Sequence, residues 1–169
     1  MSEMGEMGEA LDGNLDGALP WPTMHRLPAE VEAQLRRHCE AQYPLEACGA
    51  LFGQGDGTGA AWTVTGLRAA PNEHGGDHAR RYLVPPDFQL QAERFAQATD
   101  QEVLGYYHSH PDHPAQPSEY DRVHAWFGYL YLICAVGQGR SAALNAFTLD
   151  AQGGAFVAVQ VRDPAPATS

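Results

Sequence analysis

Three prolines within seven residues, Pro111, Pro114 and Pro117, stand between an apolar run ending in His108-Ser109-His110 and a polar start at Ser118-Glu119-Tyr120-Asp121. Proline lacks the amide donor and its ring crowds the preceding residue, so neither a strand nor a helix runs through this segment. The chain must leave a strand near His110, follow an extended loop, and begin a helix near Ser118. Residues two apart on a strand face the same way, so His108 and His110 present both imidazoles to one point in space. The loop returns the chain toward them, and Asp121 falls in the first helical turn.

Periodicity supplies the rest of the framework. Leu27, Val31, Leu35 and Cys39 recur every four residues behind Pro28, which predicts an amphipathic helix over 28–42 that Pro44 stops. Ala50-Leu51-Phe52 and Trp62 to Leu67 read as a hairpin around the Gly-rich turn Gln54 to Gly59, and Arg81 to Val84 as a further strand. A second helix follows Pro85 and Pro86, over 86–99, with Phe88, Ala92, Phe95 and Ala96 on one face. Val103 to Tyr107 is a strand running into His108. The third helix starts near Ser118 and carries Tyr120, Val123, His124 and Phe127. Tyr129 to Val136 suits a covered central strand, followed by Ala143 to Leu149 and Ala155 to Val161 across a Gly-Gly turn. The expectation is an α/β (α+β) fold: one mixed, mostly antiparallel sheet of about seven strands flanked by about three helices.

With 169 residues, 44% of them hydrophobic, the chain can bury one core. Residues 1–20, acidic, Gly-rich and without apolar period, read as a disordered leader; 21–162 read as the folded domain and 163–169 as a disordered tail. No apolar run is long enough to span a membrane and no secretory signal is evident, which points to the cytoplasm. A net charge of −11 repels phosphate backbones and argues against nucleic acid. Cys39, Cys48 and Cys134 are odd in number and widely spaced, which argues against a disulfide framework or a tetrathiolate site.

Two imidazoles and one carboxylate suit Zn2+, and three protein ligands leave a fourth position for water, the arrangement of catalytic sites. Zinc lowers the pKa of such a water to about 7, and a carboxylate can then take its proton and hand it to a leaving amine. Simpler readings stand beside this one. Ser118-x-x-Asp121 is also a helix-capping pattern, and both readings can hold together. A lone His-x-His on a strand is more often a pair of surface or hydrogen-bonded histidines.

His108-Ser109-His110, seven intervening residues, Ser118, two residues and Asp121 together resemble the JAMM (MPN+) zinc metallopeptidases. Tyr43-Pro44-Leu45-Glu46-Ala47-Cys48-Gly49-Ala50-Leu51-Phe52-Gly53 is similar to that family's upstream segment, and the resemblance covers residues 25–161. It implies a single MPN/JAMM-like domain in which His108, His110 and Asp121 bind zinc, Glu46 is general base and proton shuttle, and Ser118 supports the oxyanion. Cys48 reads as core. His113 and His124 are left outside the ligand set, as are His74 and His78 in their Gly-rich loop.

The short chain resembles the bacterial and archaeal branch, whose substrates are ubiquitin-like or sulfur-carrier proteins ending in Gly-Gly. Residues without side chains can be laid along a strand edge and passed beside a metal. The resemblance therefore implies an isopeptidase or peptidase cleaving after such a terminus. The alternatives are a catalytically silent MPN scaffold, which would lack one of the five residues, and a zinc amidohydrolase acting on a small peptide. A RadC-like role on DNA is disfavoured by the charge. For the leader three roles stand open: covering the cleft, mediating a homodimer, or none.

Overall fold

The computed structural model describes residues 24–55, 61–71 and 84–163. The four-residue apolar period gives α1 (Ala29–Gln42), with Val31, Leu35 and Cys39 buried behind Pro28. The Gly-bounded apolar run becomes β2 (Cys48–Gly55), which forms the expected antiparallel hairpin with β3 (Trp62–Ala70). Helix α2 (Pro86–Ala98) buries Phe88, Ala92 and Ala96. Then follow β4 (Glu102–Pro111), α3 (Glu119–His124), β5 (Leu130–Gly137), β6 (Arg140–Leu149) and β7 (Phe156–Arg162).

Strand β4 lies between β2, to which it is antiparallel, and β5, to which it is parallel. The β5–β6 and β6–β7 pairs are antiparallel. Alternation along these strands sends side chains to two cores. Leu51, Tyr107, Leu132 and Cys134 join the buried face of α1, whereas Ala50, Phe52, Tyr106 and Ile133 join that of α2. Burying both faces is what makes β4 and β5 read as near-continuous apolar runs.

Among the described residues, the mixed α+β character, three helices and seven strands agree with expectation, and the closure of the sheet corrects it. A short strand absent from the sequence reading, β1 (Met24–Arg26), pairs in parallel with both β3 and β7, so the order β1-β3-β2-β4-β5-β6-β7 forms a closed barrel. Three residues are too few to show a period of two, and their partners lie far away in sequence. Helix α3 is also shorter than expected. The Tyr131 hydroxyl accepts from Trp126 N at 2.6 Å and donates to Trp126 O at 3.1 Å, which diverts the backbone after Ala125 and leaves Phe127 outside the helix. Of the expected strand Arg81 to Val84, residues 81–83 lie outside the described residues, and so do the expected leader and tail and the loop carrying His74 and His78; Val84 precedes α2 in irregular chain.

Candidate metal centre

Register fixes the site. Cys48 of β2 and Ile133 of β5 flank His108, so this histidine sits in the middle of the sheet and only 1% of its surface is exposed. His110, two residues on, takes the same face, and their Nε2 atoms stand 3.0 Å apart. The proline loop then brings α3 over them: Asp121 Oδ1 lies 3.1 Å from His108 Nε2, and Oδ2 lies 3.4 Å from His110 Nε2. These three are the only cluster of potential metal donors among the described residues, with one ligand atom from each within 4.8 Å of the others.

The donor set fits a zinc ion. Ligands 2.0–2.1 Å from a tetrahedral ion are separated by about 3.3 Å, the scale of the spacings above. The Nδ1–H of His110 donates to Pro114 O at 2.8 Å, which leaves its Nε2 lone pair directed at the cluster. The proline loop thus both returns the chain and orients a ligand.

Asp121 is held by a reciprocal cap. Ser118 N and Ser118 Oγ donate to Asp121 Oδ2 at 2.7 and 2.8 Å, and Asp121 N donates back to Ser118 Oγ at 3.1 Å. The capping box and the cluster coexist because Asp121 offers Oδ2 to the cap and Oδ1 to His108. Burial would raise the Asp121 carboxyl, but the two imidazoles and the Ser118 amide outweigh it and hold it well below the usual carboxylate range. Burial pushes His108 below an ordinary imidazole, against the pull of Asp121. At His110 burial acts in the same sense but is outweighed by Asp121 and the Pro114 carbonyl, so its pKa is raised.

Glu46 is 5% exposed and lines a cavity of about 340 Å³ together with His110, His113, Pro114, Gln116 and Ser118. The β2–β4 register, continued two steps beyond Cys48 through the Ala47–Ser109 pair, brings it there. Ser109 N donates to Ala47 O at 2.9 Å, and Ala47 N donates to Ser109 Oγ at 2.8 Å, so the buried hydroxyl takes the place of a strand carbonyl. Of the five residues singled out in the sequence, Glu46, His110 and Ser118 line the cavity, and His110 also belongs to the donor cluster with His108 and Asp121.

The other candidates go elsewhere. His113 is exposed on the cavity wall. His124 Nδ1 pairs with Tyr120 O at 2.8 Å and its ring stacks on Tyr120, away from the cluster. Burial pushes the Cys48 thiol up to about 12, and its Sγ contacts Ala70 O. Sequence reasoning missed Ser109, whose signal was a hydroxyl at an inward position of an apolar strand. It also missed the pair Tyr43 and Asp112, which nothing local in the sequence connects.

A barrel-closing mixed sheet with two strand histidines, a capped helix aspartate and a buried glutamate lining the adjoining cavity defines a JAB-type domain. The profile for prokaryotic homologues of the JAB domain matches residues 28–150, and the chain belongs to that family, as the JAMM resemblance implied. A desampylase from Haloferax volcanii is 39% identical over 93 residues, which span 54% of this chain and 63% of the relative. The match thus covers less than two thirds of that protein's length. The solution structure of a protein from Salinibacter ruber superposes with a TM-score of 0.67 at 35% identity, covering 86% of this chain and 95% of that one. A solution structure from Desulfitobacterium hafniense gives 0.69 at 24% identity over 83% and 94% of the two chains, and shows the fold alone. No helix among the described residues is long and apolar enough to cross a membrane.

Proposed function

We propose that this chain is a cytoplasmic, zinc-dependent metallopeptidase or isopeptidase, with its catalytic unit in residues 21–162, hydrolysing the amide bond after the Gly-Gly carboxy terminus of a ubiquitin-like or sulfur-carrier protein. The observation that carries the reading is the convergence of His108, His110 and Asp121 beside a cavity shared by Glu46 and Ser118. The name of the Haloferax relative, a desampylase, supports a substrate of this class. His108 Nε2, His110 Nε2 and Asp121 Oδ1 would hold the metal, which when bound supplies Lewis acidity and lowers the pKa of a water to about 7.

The chain's own groups do the rest. A Glu46 carboxylate oxygen takes a proton from the attacking water as the new C–O bond forms, then gives it to the leaving nitrogen as the C–N bond breaks. Ser118 Oγ donates to the oxygen that gains charge. Its hydroxyl can turn to do so because the Ser118 amide keeps hold of Asp121 Oδ2. Glycine on the substrate side lets an extended tail enter a narrow cleft.

The presence of all five residues disfavours the silent scaffold. The test is to incubate zinc-loaded protein with Gly-Gly-ended sulfur-carrier fusions and with ubiquitin-like fusions, using Glu46→Ala as control, and to read products by mass spectrometry. Cleavage after Gly-Gly that is lost in the control is the expected result. Metal bound in stoichiometric amount without any cleavage overturns the substrate assignment, and absence of metal overturns the whole reading.

A further inference from the structure

Glu46 sits on a loop between the end of α1 and the start of β2, and loops are the parts of a fold least constrained by backbone pairing. Its chemistry nevertheless demands placement to a fraction of an ångström. One restraint is the Ala47–Ser109 pair, immediately after Glu46. A second lies three residues before it. The Tyr43 hydroxyl donates to Asp112, 2.9 Å from Oδ2 and 3.1 Å from Oδ1, and Asp112 follows His110 by two residues.

Asp112 is itself held in place. Its amide donates to Val136 O at 2.8 Å, and its Oδ1 accepts from Gln138 N at 3.4 Å in the β5–β6 turn. Its φ is +57°, in the left-handed region that non-glycine residues seldom occupy. Aspartate is one of the few residues besides glycine that adopt this region readily, and it brings a carboxylate that can take on a task there. The atoms that task reaches are on Tyr43 and Gln138.

We propose that Asp112, through the Tyr43 hydroxyl, is a positioning residue for Glu46. The loop carrying Glu46 is strapped at one side to Ser109 of β4, between the two histidine donors, and at the other to Asp112, the first residue past the end of that strand. Glu46 and the His108–His110 pair then move as one body. The inference rests on the assignment of Glu46 as proton carrier made above.

The test compares Tyr43→Phe, Asp112→Gly, the double variant and Asp112→Asn in the full-length, zinc-loaded protein. Asp112→Gly removes the carboxylate while suiting the backbone, and Asp112→Asn keeps an acceptor for the tyrosine. Hydrogen exchange of the amides at 43–48 is expected to quicken in the first three variants, with β4 still protected and zinc content unchanged. Turnover of a Gly-Gly-ended sulfur-carrier fusion is expected to fall about tenfold in kcat with KM nearly constant, the double variant no worse than either single one and Asp112→Asn close to wild type. Unchanged exchange at 43–48, additive losses, or loss of zinc would overturn the strap. Quickened exchange with undiminished kcat would overturn the positioning role. Glu46→Gln, if still active, would instead overturn the underlying assignment and leave the exchange result standing.

Discussion

Tyr106, His108 and His110 point to one side of β4, and Tyr107 and Ser109 to the other. Both rows are buried, yet they meet their polar needs in opposite ways. On the Tyr107 side the partners are internal: the Tyr107 hydroxyl pairs with His38 Nδ1 at 2.8 Å, and Ser109 Oγ accepts from Ala47 N. Burial keeps the His38 imidazole below its ordinary pKa, so the neutral ring shares this hydrogen bond with the tyrosine. Gly49 leaves open the space that a Cβ would take from the Tyr107 ring. On the histidine side, two imidazole nitrogens and a carboxylate crowd together within 3.0–3.4 Å, a gathering of lone pairs that a cation completes. One face of a single strand is closed upon itself, and the other is built to receive.

The sharpest way to break this contrast is Glu46→Gln, which should lower kcat about 10³-fold while metal content and thermal stability stay near wild type. A loss under tenfold in the cleavage assay would remove Glu46 from the chemistry. Ser118→Ala should lower kcat by about 10²-fold and stability by about 1 kcal/mol. If denaturant melts show the second change without the first, Ser118 is a cap alone.

Zinc at a hundred times its Kd should raise stability by about 2.7 kcal/mol, read as a shift in melting temperature reversed by a chelator. The pH dependence has a definite sign. His110 is raised in the metal-free protein, so its contribution to stability is present below the pKa of a free imidazole and is lost as pH rises through the raised value. Metal requires the neutral ring, so zinc affinity runs the other way and falls as pH drops through that value. Parallel pH profiles for the metal-free and zinc-loaded protein would contradict this. On the opposite face, Tyr107→Phe should cost about 1 kcal/mol by removing a buried hydrogen bond, with kcat unchanged.

The same contrast explains what could be read in advance. Repetition along the chain revealed α1, α2 and the β2–β3 hairpin, because four-residue and two-residue periods are local. His108 and His110 were legible for the same reason, and Asp121 because proline forced a loop of fixed length before a helix start. The resemblance, more than any period, pointed to Glu46. What escaped depends on distant pairing: the three residues of β1, the parallel alignment of β4 with β5, and the Tyr43–Asp112 bond across 69 positions. Ser109 escaped because its partner is a backbone amide, which has no letter in a sequence.

Barrel closure sets β1 alongside β7, with Leu27 N donating to Arg162 O at 2.7 Å and Ala29 N to Asp163 Oδ1 at 3.1 Å. Entry and exit of the domain are therefore side by side. A circular permutant, with a short linker joining them and new ends cut elsewhere on the ring, should retain the donor constellation, since the interrupted covalent path is replaced at nearly the same place.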